Sequence, residues 1–126
     1  MYHVDVTNTG DSKFSVKSAD GEFTVDTKGG AVTPPDTLLA SIGSCIGVYI
    51  RKYCEGAKVP ITGFTISVDA DFTKDAPMRF KDIKVSIDLK GAVIDDRRKK
   101  AMLEFIKNCP VHNTLKNDPS FTINIA

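Results

Sequence analysis

From Thr33 to about Gly56 the apolar residues Leu38, Leu39, Ile42, Ile46, Tyr49 and Ile50 recur at helical intervals. So long a stripe of one period demands a helix with one face covered by the rest of the chain. Its start carries its own chemistry. Thr33 can cap, and Pro34 suits the first helical position, where its missing N–H would have no partner anyway. Asp36 sets negative charge beside the free N–H groups of the first turn. The period then changes to two: Phe64, Ile66, Val68, Ala70 and Phe72 alternate with polar residues, and Ile83, Val85, Ile87 and Leu89 do so again after Asp75-Ala76-Pro77. An antiparallel pair with one buried and one wet face is expected there.

The flanking segments complete the pattern. Phe14 with Val16 and Phe23 with Val25, separated by Asp20-Gly21, read as a hairpin, with a further short strand at Val4–Thr7. Asp95-Asp96 opens a second helix with an inward stripe of Ala101, Met102, Phe105 and Ile106. Pro110 interrupts it, a short helical piece runs to Lys116, and Phe121, Ile123 and Ile125 form a closing strand. Strands, helix, two strands, helix, strand is an α+β order, and 126 residues without linker or repeat suit one domain over residues 1–126.

Composition excludes several classes of function. The 17 Lys+Arg against 16 Asp+Glu leave a net charge of +1, unlike the one-signed surface of a protein that binds phosphate backbones. The run Arg97, Arg98, Lys99, Lys100 follows two aspartates on an amphipathic helix and reads as a solvated face. No stretch could span a bilayer, and the first residues lack the regions of a signal peptide, so a cytoplasmic protein is expected. Gly29-Gly30 lacks the residues of a phosphate loop. Cys109-x-x-His112 has too few companions for a structural zinc site, so neither metal nor organic cofactor is expected.

Two features of the long helix invite explanation. Ala40, Gly43, Ser44 and Gly47 form a stripe of small residues, and glycine within a helix costs roughly 1 kcal/mol against alanine. Another backbone passing close by is the expected reason. Cys45 and Cys54 lie nine positions apart, on opposite faces, and cannot pair within one regular helix. Cys54 reads as filler near the helix end. Cys109 precedes Pro110, which pushes it out of helical conformation and sets it at a helix N-terminus, where a thiolate is favoured. By spacing alone, each cysteine still reads as a small buried hydrophobe.

The run Thr33-Pro-Pro-Asp-Thr-Leu-Leu-Ala-Ser-Ile-Gly-Ser-Cys45 resembles the central helix of the OsmC/Ohr family of organic hydroperoxide reductases, and Asn108-Cys-Pro-Val-His-Asn-Thr-Leu115 resembles that family's second cysteine motif. The order of elements agrees over nearly the whole chain. The resemblance implies antiparallel sheets wrapped around a central helix in an intertwined homodimer. It also implies that Cys45 attacks an organic hydroperoxide, that Cys109 resolves the product, and that a lipoyl or thioredoxin-type dithiol restores both. The chain departs from the family in two respects: the acid that the family keeps at the start of this helix stands here as Asp36, nine residues before Cys45 and across the helix from it, and the arginine is missing. The family binds peroxide with an arginine of the N-terminal strands, whereas residues 1–50 contain none and the four arginines are Arg51, Arg79, Arg97 and Arg98. Lys13, Lys17 or Lys28 could supply charge but not a bidentate clamp. The cysteine pair favours peroxide turnover; the missing arginine favours a redox sensor or small-molecule binder on the same fold.

Overall fold

Short alternating segments open the computed structural model, which describes residues 1–126 and divides into two compact units, Met1–Ala40 and Ser41–Ala126. In the first, β1 (Asp5–Asn8), β2 (Lys13–Lys17) and β3 (Glu22–Asp26) form an antiparallel sheet in that order. Phe14 stands opposite Val25 and Val16 opposite Phe23, so the expected alternation sets the register. Asp26 closes the unit. Only 4% exposed, its carboxylate accepts from the Ser12 hydroxyl at 2.8 Å and from the N–H groups of Lys28 at 2.8 Å and Gly30 at 3.2 Å. The Lys28 N–H, then the Ser12 hydroxyl, hold this carboxyl below the ordinary aspartate value, with burial opposing them. A Cβ at Gly30 would lie 2.5 Å from the Asp26 Oδ2, so the turn needs glycine there.

The helix α1 (Pro34–Gly56) begins in this unit and continues through the second. Its cap is reciprocal. Asp36 Oδ2 accepts from the Thr33 N–H at 3.0 Å and hydroxyl at 2.9 Å, and the Asp36 N–H donates back to Thr33 Oγ1 at 3.3 Å. The Thr33 N–H and then its hydroxyl lower the Asp36 carboxyl. The other end closes with the Val59 N–H on the Cys54 carbonyl at 2.8 Å and Lys58 at a φ of 53°.

In the second unit β4 (Thr65–Phe72) pairs antiparallel with β5 (Phe80–Asp88), placing Ile66 opposite Ile87 and Val68 opposite Val85. The glycine stripe of α1 lies on this hairpin. A Cβ at Gly43 would meet Val68 Cγ2 at 3.1 Å, and one at Gly47 would meet Ile66 Cδ1 at 3.3 Å and the Phe64 ring at 3.5 Å. The close neighbours are side chains leading into and along β4 of the same chain, not a passing backbone. The opposite face of α1 receives α2 (Asp96–Ile106), whose Phe105 ring lies 5.8 Å from that of Tyr49 and 6.0 Å from that of Tyr53. Asp95 caps α2 by accepting from the Arg98 N–H at 2.8 Å. α3 (Pro110–Lys116) follows after three residues. Buried side chains of this unit include Ile42, Ile46, Ile50, Cys54, Met102 and Cys109. No helix is long and apolar enough to cross a membrane.

Two further expectations need correction. Ala101 is exposed, because the inward stripe of α2 narrows to Met102, Phe105 and Ile106. The closing strand does not form: Phe121, Ile123 and Ile125 are 84%, 85% and 97% exposed and pair with neither sheet. Alternation marks a segment fit to be a strand, but a strand also needs an edge to bond to.

Candidate active site

The two faces of α1 separate its cysteines. At roughly 100° per residue the stripe of Cys45, Tyr49 and Lys52 lies opposite that of Gly43 and Gly47. Cys45, half-buried, looks toward the junction of α2 and α3. There the Cys109 thiol and the backbone N–H of Val111 both come near enough to act on its sulfur.

Local sequence explains how Cys109 comes to sit there. The N–H groups of Asn108 and Cys109 bond back to the carbonyls of Phe105 and Ile106 at 3.1 and 3.0 Å, ending α2 in a tightened turn. Pro110 then forces Cys109 into an extended conformation, φ −60° and ψ 118°, and opens α3. The chain reverses at Cys109, whose side chain is fully buried. An N–H of the first turn of α3, that of Val111, acts on the Cys45 sulfur.

Burial is the largest influence on Cys45 and pushes its thiol up, and the contact with Cys109 adds to this. The Val111 N–H and the charge of Lys52 act in the opposite sense. The resting site is therefore a thiol pair with a partly exposed member on α1 and a buried member behind it. A thiolate on Cys45 would keep the Val111 donor and the lysine charge.

The remaining candidates lie elsewhere or have other tasks. Cys54 is 2% exposed on the face of α1 away from Cys45, with its thiol raised by burial. Arg51 donates to the carbonyls of Ile61 at 3.0 Å and Thr62 at 3.5 Å, its guanidinium 5.4 Å from the centre of the Phe64 ring. It ties the loop before β4 to the helix. Asp36 is used by the helix cap. His112, in the first turn of α3, has a buried Nδ1 without a hydrogen-bond partner. No group of three or more His, Cys, Asp or Glu residues converges in the structure. Sequence reasoning did not single out Lys52 or the Val111 N–H. The signal for Lys52 was present, since position i+7 shares a helix face with Cys45; the amide contact depends on the fold.

A long helix that carries Cys45 and a proline-started turn that carries Cys109 stand on an α+β fold with two antiparallel sheets and three helices. The family model described as OsmC-like protein matches residues 27–124, and the chain belongs to that family. Among solved structures, the chain is similar to an osmotic stress induced and detoxification response protein from Psychrobacter arcticus 273-4, at 26% identity and TM-score 0.81, over 94% of this chain and 90% of that one. An OsmC-like protein from Mycoplasma pneumoniae shares the fold at 17% identity and TM-score 0.81, over 94% and 89%. So does an organic hydroperoxide resistance protein from Legionella pneumophila, at 15% identity and TM-score 0.64, over 94% and 90%. No curated protein matches the sequence.

Proposed function

We propose that the protein reduces organic hydroperoxides with Cys45 as the attacking sulfur and Cys109 as the resolving one. The observation that carries this reading is the half-buried Cys45 thiol beside the buried Cys109 thiol, with the Val111 N–H acting on the more accessible sulfur. The Cys45 thiolate attacks the terminal oxygen of ROOH; the O–O bond breaks and, with one proton, leaves the alcohol ROH and a Cys45 sulfenic acid. The Cys109 thiol then attacks the Cys45 sulfur, forming a disulfide and releasing water. An external dithiol reduces that disulfide to the two starting thiols and leaves as its own disulfide. Leu, Ile and Tyr side chains near Cys45 on α1 favour an apolar substrate.

The working form under this reading is a homodimer and residues 1–126 act as one domain. In support, Phe121, Ile123 and Ile125 stay exposed with the alternation of a strand that lacks an edge. Three free cysteines suit a reducing cytoplasm. One observation favours a second reading, a redox sensor or small-molecule binder without turnover: residues 1–50 lack arginine, and the guanidinium of Arg51 is taken by backbone carbonyls.

Turnover of cumene hydroperoxide with lipoyl and thioredoxin-type reductants separates the two. The reductase reading expects sustained consumption, abolished in Cys45→Ser. One equivalent of hydroperoxide should join Cys45 to Cys109 and leave Cys54 free, while Cys109→Ser should hold Cys45 as a sulfenic or sulfinic acid after one turnover. Peptide mapping that finds Cys54 in the bridge, or no bridge with both thiols unreactive, overturns the two-cysteine mechanism. A bridge without sustained consumption supports the sensor.

A further inference from the structure

Charge near Cys45 comes from an unexpected place. The arginine nearest in sequence is tied to carbonyls on another face of α1, and the sulfur keeps one direct helper, the Val111 N–H. On its own helix stripe, however, stand Tyr49 at i+4 and Lys52 at i+7, about 40° and −20° from Cys45 around the axis. Helical side chains lean toward the N-terminus, so the long stem of Lys52 runs back over the turn that carries Tyr49. Its Nζ lies 4.9 Å from the centre of the Tyr49 ring. That ring is itself packed against Phe105 of α2, at 5.8 Å and an interplanar angle of 50°. A free lysine samples many rotamers; one seated on a ring that the core holds in place samples fewer.

We infer that Lys52 is the positioning residue for the Cys45 thiolate: held over the Tyr49 ring on the stripe that carries the sulfur, its ammonium raises the population of the reactive anion. The inference deepens the hydroperoxide-reductase reading and takes its consequence for turnover from it, although reactivity of the thiol tests it without any peroxide. Burial and the neighbouring Cys109 thiol oppose ionisation of Cys45 and prevail, while the Val111 N–H and the charge of Lys52 counter them in part. The charged and titratable groups around the sulfur are Lys52 from α1 and Cys109 from the α2–α3 junction; the first turn of α3 also carries His112 beside Val111. The lysine head is exposed, so its charge is easily kept and easily screened. It acts through the sulfur and stays out of bond making.

The test is alkylation of Cys45 by iodoacetamide, followed by peptide mass spectrometry across about pH 6 to 10, a span that brackets thiol ionisation. Removing a single partly screened charge in Lys52→Met should slow the reaction by roughly three- to tenfold at neutral pH. The wild-type and variant curves should meet at alkaline pH, where ionisation is complete in both. Lys52→Arg should restore the wild-type curve. Tyr49→Leu, which keeps the charge but removes its seat, should fall between the two. Salt at about 0.5 M should shrink the gap. Superimposed curves for wild type and Lys52→Met overturn the inference, as does a slowing that persists unchanged at alkaline pH, which would report altered access. A Lys52-dependent curve in a protein that does not turn over cumene hydroperoxide upholds the inference and removes the reductase reading. Turnover with no dependence on Lys52 does the reverse.

Discussion

A cysteine next to another cysteine is a poor nucleophile until something favours its anion, and each side chain around Cys45 can be judged by whether it does so. Arg51 does not. Its guanidinium spans the Ile61 and Thr62 carbonyls on a face of α1 that Cys45 does not share. We expect Arg51→Ala to leave Cys45 alkylation within about twofold of wild type, while losing about 1–2 kcal/mol of stability with those hydrogen bonds. Alkylation rates and thermal melting measured on one sample check both. Asp26 is the corresponding structural case. Its carboxyl is held below the ordinary value of 3.8, so the ionised form favours the folded state. That contribution is complete above the unfolded value and is lost as pH falls through the lower folded one. Melting should therefore show wild type above Asp26→Asn near neutrality, with the difference closing progressively in acid below about pH 4. A difference that stays constant into strong acid would contradict this account.

Elements in this chain carry their own boundary signals. The Thr33–Asp36 cap, the Asp95 cap and the Pro110 start all form where residue chemistry asks for them. The C-terminus of α1 is the exception. Lys58 occupies the left-handed position of the helix-ending motif, where its Cβ is strained and a glycine is at ease. The residue after it, Val59, is buried and holds the motif in place. Lys58→Gly should stabilise the protein by about 1 kcal/mol, read as a higher melting temperature with unchanged Cys45 reactivity. The glycine stripe of the same helix was legible as a sign of close approach, but not its partner. Nothing in the spacing of Gly43 and Gly47 tells a neighbouring backbone from the side chains of Phe64, Ile66 and Val68.

At the scale of the whole molecule, the apolar surface left open says most. Val93, Phe121, Ile123 and Ile125 are almost fully exposed, more than an isolated small domain ordinarily tolerates. Phe121, Ile123 and Ile125 alternate with Thr122 and Asn124, so one side of an extended segment is apolar and needs both a face and an edge. A second copy can supply these. Under the dimeric reading, light scattering should report a dimer at micromolar protein, and deletion of residues 119–126 should shift it to monomer or to aggregate. A truncated chain that remains a stable dimer would place the interface elsewhere.

The sequence by itself determined the helices, four of the five observed strands to within a few residues, the caps and the turn at Asp20-Gly21. Each rests on contacts between residues close along the chain, where spacing is equivalent to geometry. It missed the start of β5 at Phe80 and overstated the closing strand, because pairing depends on a partner edge. The meeting of Cys45 with Cys109 across 64 positions was suggested by family resemblance and had no basis in local pattern. Only the tertiary structure could bring the α2–α3 junction onto one face of α1 while β4 took the other. That placement assigned the Val111 N–H to Cys45 and bound Arg51 to a loop. It also set Lys52 over Tyr49, because the ring that seats the lysine is held by Phe105 from a helix folded back across the first.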